Sequence, residues 1–303
     1  MPAQDERLRP KVALATCAAY PELDIDDQLL IDPLRALGVD TTIAIWDEPS
    51  IAWEQYDLVL IRSTWDYTQH HSAFLSWAEQ VQERTQLANP LPVLSWSSQK
   101  TYLHDLERSG VPIVPTEFIA PGQSWRYPDG EFVIKPTISA GSRDTFRFSA
   151  SRTAEGDQAI AAMHARGQVA MIQPYFASVD VRAETAMIFI AGEFSHAVSK
   201  AALLTVDQST QIFERGLFLR EKIAARTPRP EQLAVARAAL SCAPDGWLYA
   251  RVDVIDDADD SPVVLELEMV EPSLFLGFHG HGQPAPAETL AGVIASQLAT
   301  AER

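Results

Sequence analysis

The sequence predicts an α/β chain whose N-terminal part is an open parallel sheet and whose remainder pairs its strands through turns. Two observations carry this. The first third alternates short apolar runs with helical patterns, and strand–helix alternation builds parallel sheets. Further on, the runs come in neighbouring pairs: EFVIKP with TFRFS, VRAETAMIFI with EFSHAVSK, and WLYARVDVI with VVLELEM. Each pair is joined by a turn or a loop of small residues.

In chain order, VALATC (12–17) reads as a strand, DDQLLIDPLRAL as a helix closed by Gly38, TTIAIW (41–46) as a strand and DLVLI (57–61) as another. Ligands of such sheets sit beyond the carboxyl ends of the strands. Thr16 and Cys17 lie at one such end and Arg62 to Tyr67, RSTWDY, at a second. An arginine, a serine, an aspartate and two aromatics could grip a small zwitterion there, and a polar loop with a packed tryptophan is the plainer alternative. Near Pro92 a second unit begins: VLSW suggests a strand, SSQKTYLHDLER a serine-capped helix and Gly110 its stop. The prolines of VPIVPTEFI mark an irregular or edge strand.

Lys135 ends the apolar strand EFVIK and leads into TISAGSRD, where Ser139, Gly141 and Ser142 can expose backbone N–H groups as a phosphate cradle. A helix over GDQAIAAMHARG and a strand over VAMIQPYF follow. Strands then flank the Ala191–Gly192 turn, with Arg182 and Glu184 sharing one face, and His196, Val198 and Lys200 sharing another. His196 reads as structural. Residues 205–229, rich in charge, suggest a lid, and EQLAVARAALSCA a helix.

The hairpin 247–269 poses the chemical question. Alternation along a strand puts Leu265, Leu267 and Met269 on one face and Glu266 and Glu268 on the other, and it puts Arg251 and Asp253 together on the neighbouring strand. If the acidic faces coincide, Asp253, Glu266 and Glu268 converge, and oxygen-only ligands favour a hard cation such as Mg2+. A solvated surface hairpin is the alternative.

Bulk properties narrow the field. The chain has 303 residues, 47% of them hydrophobic, and a formal net charge of −17, which opposes broad binding to nucleic acid or an anionic membrane. Cys17 and Cys242 form no metal-like or disulfide pattern. With no signal-like N-terminus and no membrane-length apolar run, a cytoplasmic location is expected.

The order of these features resembles the ATP-grasp superfamily: Lys100 at the head of the central unit, Lys135 before a small-residue loop, QPYF after a strand, and RVD ahead of ELE. The resemblance implies three parts. These are an N-terminal α/β domain (1–96), a central ATP-grasp subdomain (97–176) and a C-terminal one (177–303), the last two being α+β units that clamp ATP. It implies that Lys100 and Lys135 contact phosphates, that the 139–142 loop closes over them, and that Gln173, Tyr175 and Phe176 frame the adenine. Asp180 or Glu184 would meet the ribose. Asp253, Glu266 and Glu268 would hold two Mg2+ ions, with Arg251 and Lys200 at the transferring phosphate and the reacting carboxylate. The family usually carries asparagine where this chain has Glu268, and its phosphate loop is richer in glycine.

More narrowly, RSTWDY, SHAVSK, RVDVI and ELEMVEPSLF resemble the branch that cyclises O-ureido-D-serine to D-cycloserine in antibiotic biosynthesis. On that reading Arg62, Ser63, Trp65, Asp66, Tyr67, Arg220, Glu271 and Ser273 form the pocket for an amino-acid-like substrate. His279, beyond the metal strand, could reach the substrate too; the plainer reading of His279 and His281, in GFHGHG, is a turn. Ligases joining two molecules, of the glutathione synthetase or ribosomal S6 glutamate ligase kind, remain open, as do a non-catalytic nucleotide binder and a homo-oligomer.

Overall fold

The computed structural model describes residues 9–206, 217, 222–279 and 284–301. Its first sheet is parallel and runs β2-β1-β3-β4, from β1 (Lys11–Thr16), β2 (Asp40–Ile45), β3 (Leu58–Ile61) and β4 (Gln86–Leu87). Nearly every residue of β1 and β3 is buried, as continuous apolar runs are when a parallel sheet is covered on both faces.

The single helix expected over 26–37 is two, α1 (Ile25–Gln28) and α2 (Ile31–Ala36). Pro33 has no N–H to continue a helix from α1, but it sits without cost in the first turn of α2. Gly38 ends it at φ +79°, a conformation glycine adopts freely. After α3 (His71–Gln82) comes the main departure: VLSW is not a strand but part of α4 (Leu91–Ser97), with Pro92 in its first turn. A short apolar run fits a buried helix as well as a strand. Nor do the serines cap the next helix, α5 (Leu103–Arg108). Ser97 Oγ instead accepts the Met269 N–H at 3.0 Å.

A second sheet, antiparallel in the order β5-β8-β6-β7, contains β5 (Glu117–Ile119), β6 (Phe132–Pro136), β7 (Phe146–Phe148) and β8 (Ala170–Pro174). The proline-flanked strand lies at its edge, as expected, and α6 (Thr153–Ala165) packs on it through Ile160 and Met163. The third sheet, also antiparallel, runs β11-β10-β9-β12-β13. Its strands are β9 (Glu184–Ile190), β10 (Glu193–Lys200), β11 (Ile223–Arg226), β12 (Tyr249–Asp256) and β13 (Pro262–Glu268). The helix α8 (Pro230–Leu240) packs against β12 and β13.

Two phase readings change here. Arg182 ends a short helix, α7 (Ser178–Arg182), and does not share a strand face with Glu184; Ala183, at φ +61°, turns the chain between them. Leu265 does not stay with Leu267. A β-bulge falls between the pairs Asp253↔Glu266 and Val254↔Val264, and the extra residue brings Leu265 to the same cavity as Glu266.

The first and third sheets share one core, in which Leu14 and Leu34 pack with Ile188, Tyr249 and the C-terminal helix α9 (Pro286–Ala301). Among the described residues no helix is long and apolar enough to cross a membrane. Asn89 stitches this junction. Its Nδ2 donates to the carbonyls of Tyr249 (2.9 Å) and Met269 (2.6 Å), and its Oδ1 accepts from the N–H groups of Leu248 (2.7 Å) and Tyr249 (3.3 Å). Asn89→Ala strands four buried backbone groups, so an equilibrium denaturant titration is expected to show a loss of about 3 kcal/mol.

Candidate active site

Between the second and third sheets lies a cavity of about 600 Å³. One end is charged and the other apolar, because different strand phases deliver the two walls. At the charged end, β12 and β13 bring ligand atoms of Asp253, Glu266 and Glu268 within 4.8 Å of one another. Three like charges so close require compensation. Lys100 Nζ lies 2.7 Å from Glu266 Oε1, Lys200 Nζ 2.8 Å from Asp253 Oδ2, and Arg251 reaches both Asp253 Oδ1 (2.9 Å) and Glu268 Oε1 (2.7 Å). The acidic faces of the hairpin therefore point inward, and the solvated-hairpin alternative fails.

The pKa directions follow from burial and pairing. Burial would raise Glu266, but Lys100 and then Lys135 overcome it and hold its carboxyl down to about 2. Asp253 is likewise held low by Arg251 and Lys200 against its burial. Glu268 goes the other way: burial, aided by the nearby Glu266 and Asp253, prevails over Arg251 and pushes it up to about 7. Burial and the neighbouring Glu268 lift Glu271 well above the carboxylate range.

Two buried titratable side chains line the cavity with no hydrogen-bond or ion-pair partner among the described residues, Lys135 and Glu271. Burial lowers the Lys135 pKa, with Glu266 opposing. Lys100 also donates to the Ser139 carbonyl at 2.6 Å, which ties it to the loop holding Gly141 and Ser142, both at φ +60°. All three loop residues line the cavity.

At the apolar end, Tyr175 and Phe176 pack in one cluster with Val179, Ile255 and Leu265. Gln173 faces the same space beside Val133. Of the two acids considered for one ligand contact, Glu184 lines the cavity and lies 3.2 Å from Lys200. Asp180 does not line it: its oxygens accept from Arg147 (3.1 and 3.0 Å) and the Tyr175 hydroxyl (2.7 Å), and these hold its pKa low.

The RSTWDY stretch is where sequence and structure differ most. Only Trp65 lines the cavity. Arg62 is 1% exposed, paired with Asp27 at 2.9 Å, and donates to the Pro272 carbonyl at 2.6 Å. Ser63 donates to Asp27 at 2.7 Å, Asp66 accepts from the Trp46 indole at 2.9 Å, and Tyr67 is buried against Phe74. The expected grip is thus an anchor: Arg62 and Ser63 turn to Asp27 of α1, Asp66 to Trp46 just after β2 and Tyr67 to Phe74 of α3, and none of the four lines the cavity. Ser273 and Glu271 do line the cavity. Arg220 and His281 lie outside the described residues, as do 207–216 and 218–221 of the expected lid; His279 is not among the lining residues. His196 is structural as expected, its Nε2 donating to the Leu274 carbonyl at 2.9 Å while burial lowers its pKa. Beyond the expected Tyr175 and Phe176, the apolar wall, including Val179, Leu203, Leu204 and Leu265, has no counterpart in the sequence reading, because aliphatic residues carry no chemical signature in sequence.

The fold and this cavity define an ATP-grasp ligase. Solved ATP-grasp structures share the architecture: the D-alanine–D-alanine ligase of Bacillus anthracis complexed with ATP superposes at TM-score 0.60 with 14% identity, over 96% of this chain and 95% of that one. A crystal structure of D-cycloserine synthetase DcsG superposes at TM-score 0.84 with 32% identity, over 95% of this chain and 99% of that one. The cycloserine biosynthesis protein DcsG of Streptomyces lavendulae is 35% identical over 296 residues, 92% of this chain and 97% of the relative. The N-terminal domain family of D-cycloserine synthetase DcsG matches residues 12–89. The chain belongs to the D-cycloserine synthetase family.

Metal ligands must be ionised, so were the triad to hold a cation, the raised Glu268 would make that binding pH-dependent. Below a pKa of about 7 Glu268 holds a proton that the cation must displace; above it the ligand is ready. Calorimetric Mn2+ titrations are expected to show affinity falling as pH drops from about 8 to about 6, by up to about ten-fold per unit at the low end, with proton release. Glu268→Gln should flatten that slope.

Proposed function

We propose that this chain is an ATP- and Mg2+-dependent ligase that activates a substrate carboxylate as an acyl phosphate and closes O-ureido-D-serine to D-cycloserine. The observation that carries the reading is a pair of buried titratable side chains without a partner among the described residues, the Lys135 amine and the Glu271 carboxyl, lining one cavity with the acidic triad. A buried cation without a partner suits a phosphate, and a buried carboxyl without one suits an ammonium group.

On this reading ATP lies between the segments 97–176 and 177–303. The base occupies the apolar end, near Gln173, Tyr175 and Phe176, and Glu184 meets the ribose. Lys100 and Lys135 bind phosphate oxygens, and the backbone of Ser139 to Ser142 covers them. The oxygen-only set Asp253, Glu266 and Glu268 fits hard cations and would hold two Mg2+ ions. When bound, the metal neutralises charge between the phosphate and the incoming carboxylate. Arg251 and Lys200 orient the reacting carboxylate and the transferring phosphate, and Glu271 and Ser273 fix the α-ammonium side of the substrate beside Trp65. Holding the reactants in line is the main source of rate.

The bonds follow. A carboxylate oxygen attacks the γ-phosphorus and ADP leaves. The nitrogen bonded to the side-chain oxygen then attacks the acyl carbon within the same molecule, phosphate departs, and the carbamoyl group is lost to water.

The direct test is Mg2+-dependent ADP release with O-ureido-D-serine, beside D- and L-amino acids singly and in pairs. Turnover with O-ureido-D-serine alone and a cyclic product supports the reading; turnover only with a pair makes the chain an intermolecular ligase. Lys135→Ala is expected to weaken ATP binding by at least about ten-fold, the loss typical of a hydrogen bond to a charged group. Glu271→Gln should raise the KM of the amino acid while leaving the ATP dissociation constant within about two-fold.

A further inference from the structure

Gln173 is 2% exposed, lines the cavity, and pairs across the sheet with Val133, another lining residue. Its Nε2 donates to Thr116 Oγ1 at 2.8 Å. The amide orientation follows from the next link of the chain. Thr116 Oγ1 donates its only proton to the Val114 carbonyl at 2.7 Å, so toward Gln173 it can only accept. The Gln173 NH2 must therefore face Thr116. Its Oε1 has no hydrogen-bond partner among the described residues and is not sealed within the protein.

We infer that Thr116 fixes the Gln173 amide so that its carbonyl oxygen faces the base, making the Thr116–Gln173 pair the determinant of adenine over guanine. The inference rests on the reading of this cavity as a nucleoside triphosphate site. An acceptor amid the apolar wall of Tyr175, Phe176, Val179 and Leu265 matches the exocyclic amine of adenine, which donates. Guanine offers an oxygen at that ring position, and two facing acceptors leave both unpaired. A site built to hydrogen-bond one group discriminates strongly against an analogue that cannot supply it. Gln173 is the specificity residue in contact with the base, and Thr116, which does not line the cavity, acts through it as a positioning residue.

Thr116→Val keeps the side-chain shape and removes the hydroxyl, so the Gln173 amide is free to turn its NH2 toward the base. Calorimetric dissociation constants for ATP and GTP should then show the ATP preference falling roughly ten-fold, with part of the change a gain in GTP affinity. A merely structural role would weaken both nucleotides together. Thr116→Ser, which restores the hydroxyl, should restore the preference. Gln173→Met, of similar size but without the acceptor, should lose ATP affinity and leave GTP nearly unchanged. If the unaltered protein binds ATP but Thr116→Val leaves the ATP-to-GTP ratio within two-fold, the inference is overturned and the nucleotide reading stands. If it binds neither nucleotide, both fall.

Discussion

Holding Asp253, Glu266 and Glu268 within reach of one another inside the protein is the constraint around which the rest of the structure is arranged. Such carboxylates cannot be buried together unless cations are delivered to them with comparable precision. The third sheet delivers two directly: Lys200 from β10 and Arg251 from β12, both reaching Asp253. The third, Lys100, comes from a 3₁₀ turn, and that turn is fixed to β13 from both sides. Ser97 Oγ accepts the Met269 N–H and the Tyr102 hydroxyl accepts the Leu267 N–H at 2.8 Å, so the residues flanking Lys100 are pinned to the strand that carries Glu266. The serines that looked like a helix cap thus perform a positional task that local sequence cannot express.

The segment after β13 is held by a different logic. From Glu271 to Phe275 each carbonyl accepts from a side chain remote in sequence: Trp65 for Glu271, Arg62 for Pro272, Arg251 for Ser273, and His196 for both Leu274 and Phe275. Asp26 completes the set by accepting the Leu276 and Gly277 N–H groups at 2.8 and 3.0 Å. A stretch without regular secondary structure has no ladder to satisfy its backbone, so side chains must supply one. This explains why Arg62 is buried on Asp27 and not offered to a ligand. It also explains how Phe275 persists at φ +51°, since the neighbouring contacts over-determine it.

These two arrangements show where the sequence was legible. The hairpin, the glutamates on one face, Lys135 at a strand end and the Ala191–Gly192 turn all follow from period-two alternation and turn chemistry, which act over a few residues. What did not follow needed long-range contacts. The bulge that brings Leu265 into the cavity depends on the partner strand, α4 reads like a strand in isolation, and RSTWDY has the composition of a binding loop. Its role was decided by Asp27, Trp46 and Pro272, none of them a neighbour in sequence.

Charge distribution joins the site to the whole molecule. A chain of formal net charge −17 repels nucleotides at long range, so affinity must come from within the cavity. There, Lys100, Lys200 and Arg251 are already satisfied by carboxylates, whereas Lys135 has no partner among the described residues and is destabilised as a cation by burial. An anion arriving beside Lys135 removes that penalty, and a cation arriving at the triad releases Lys100 and Arg251 from Glu266 and Glu268. Each ligand therefore prepares the charges the other requires. On the proposed reading, a site balanced in this way would favour the metal–nucleotide pair over either alone, because the pair compensates Lys135 and the acidic triad together.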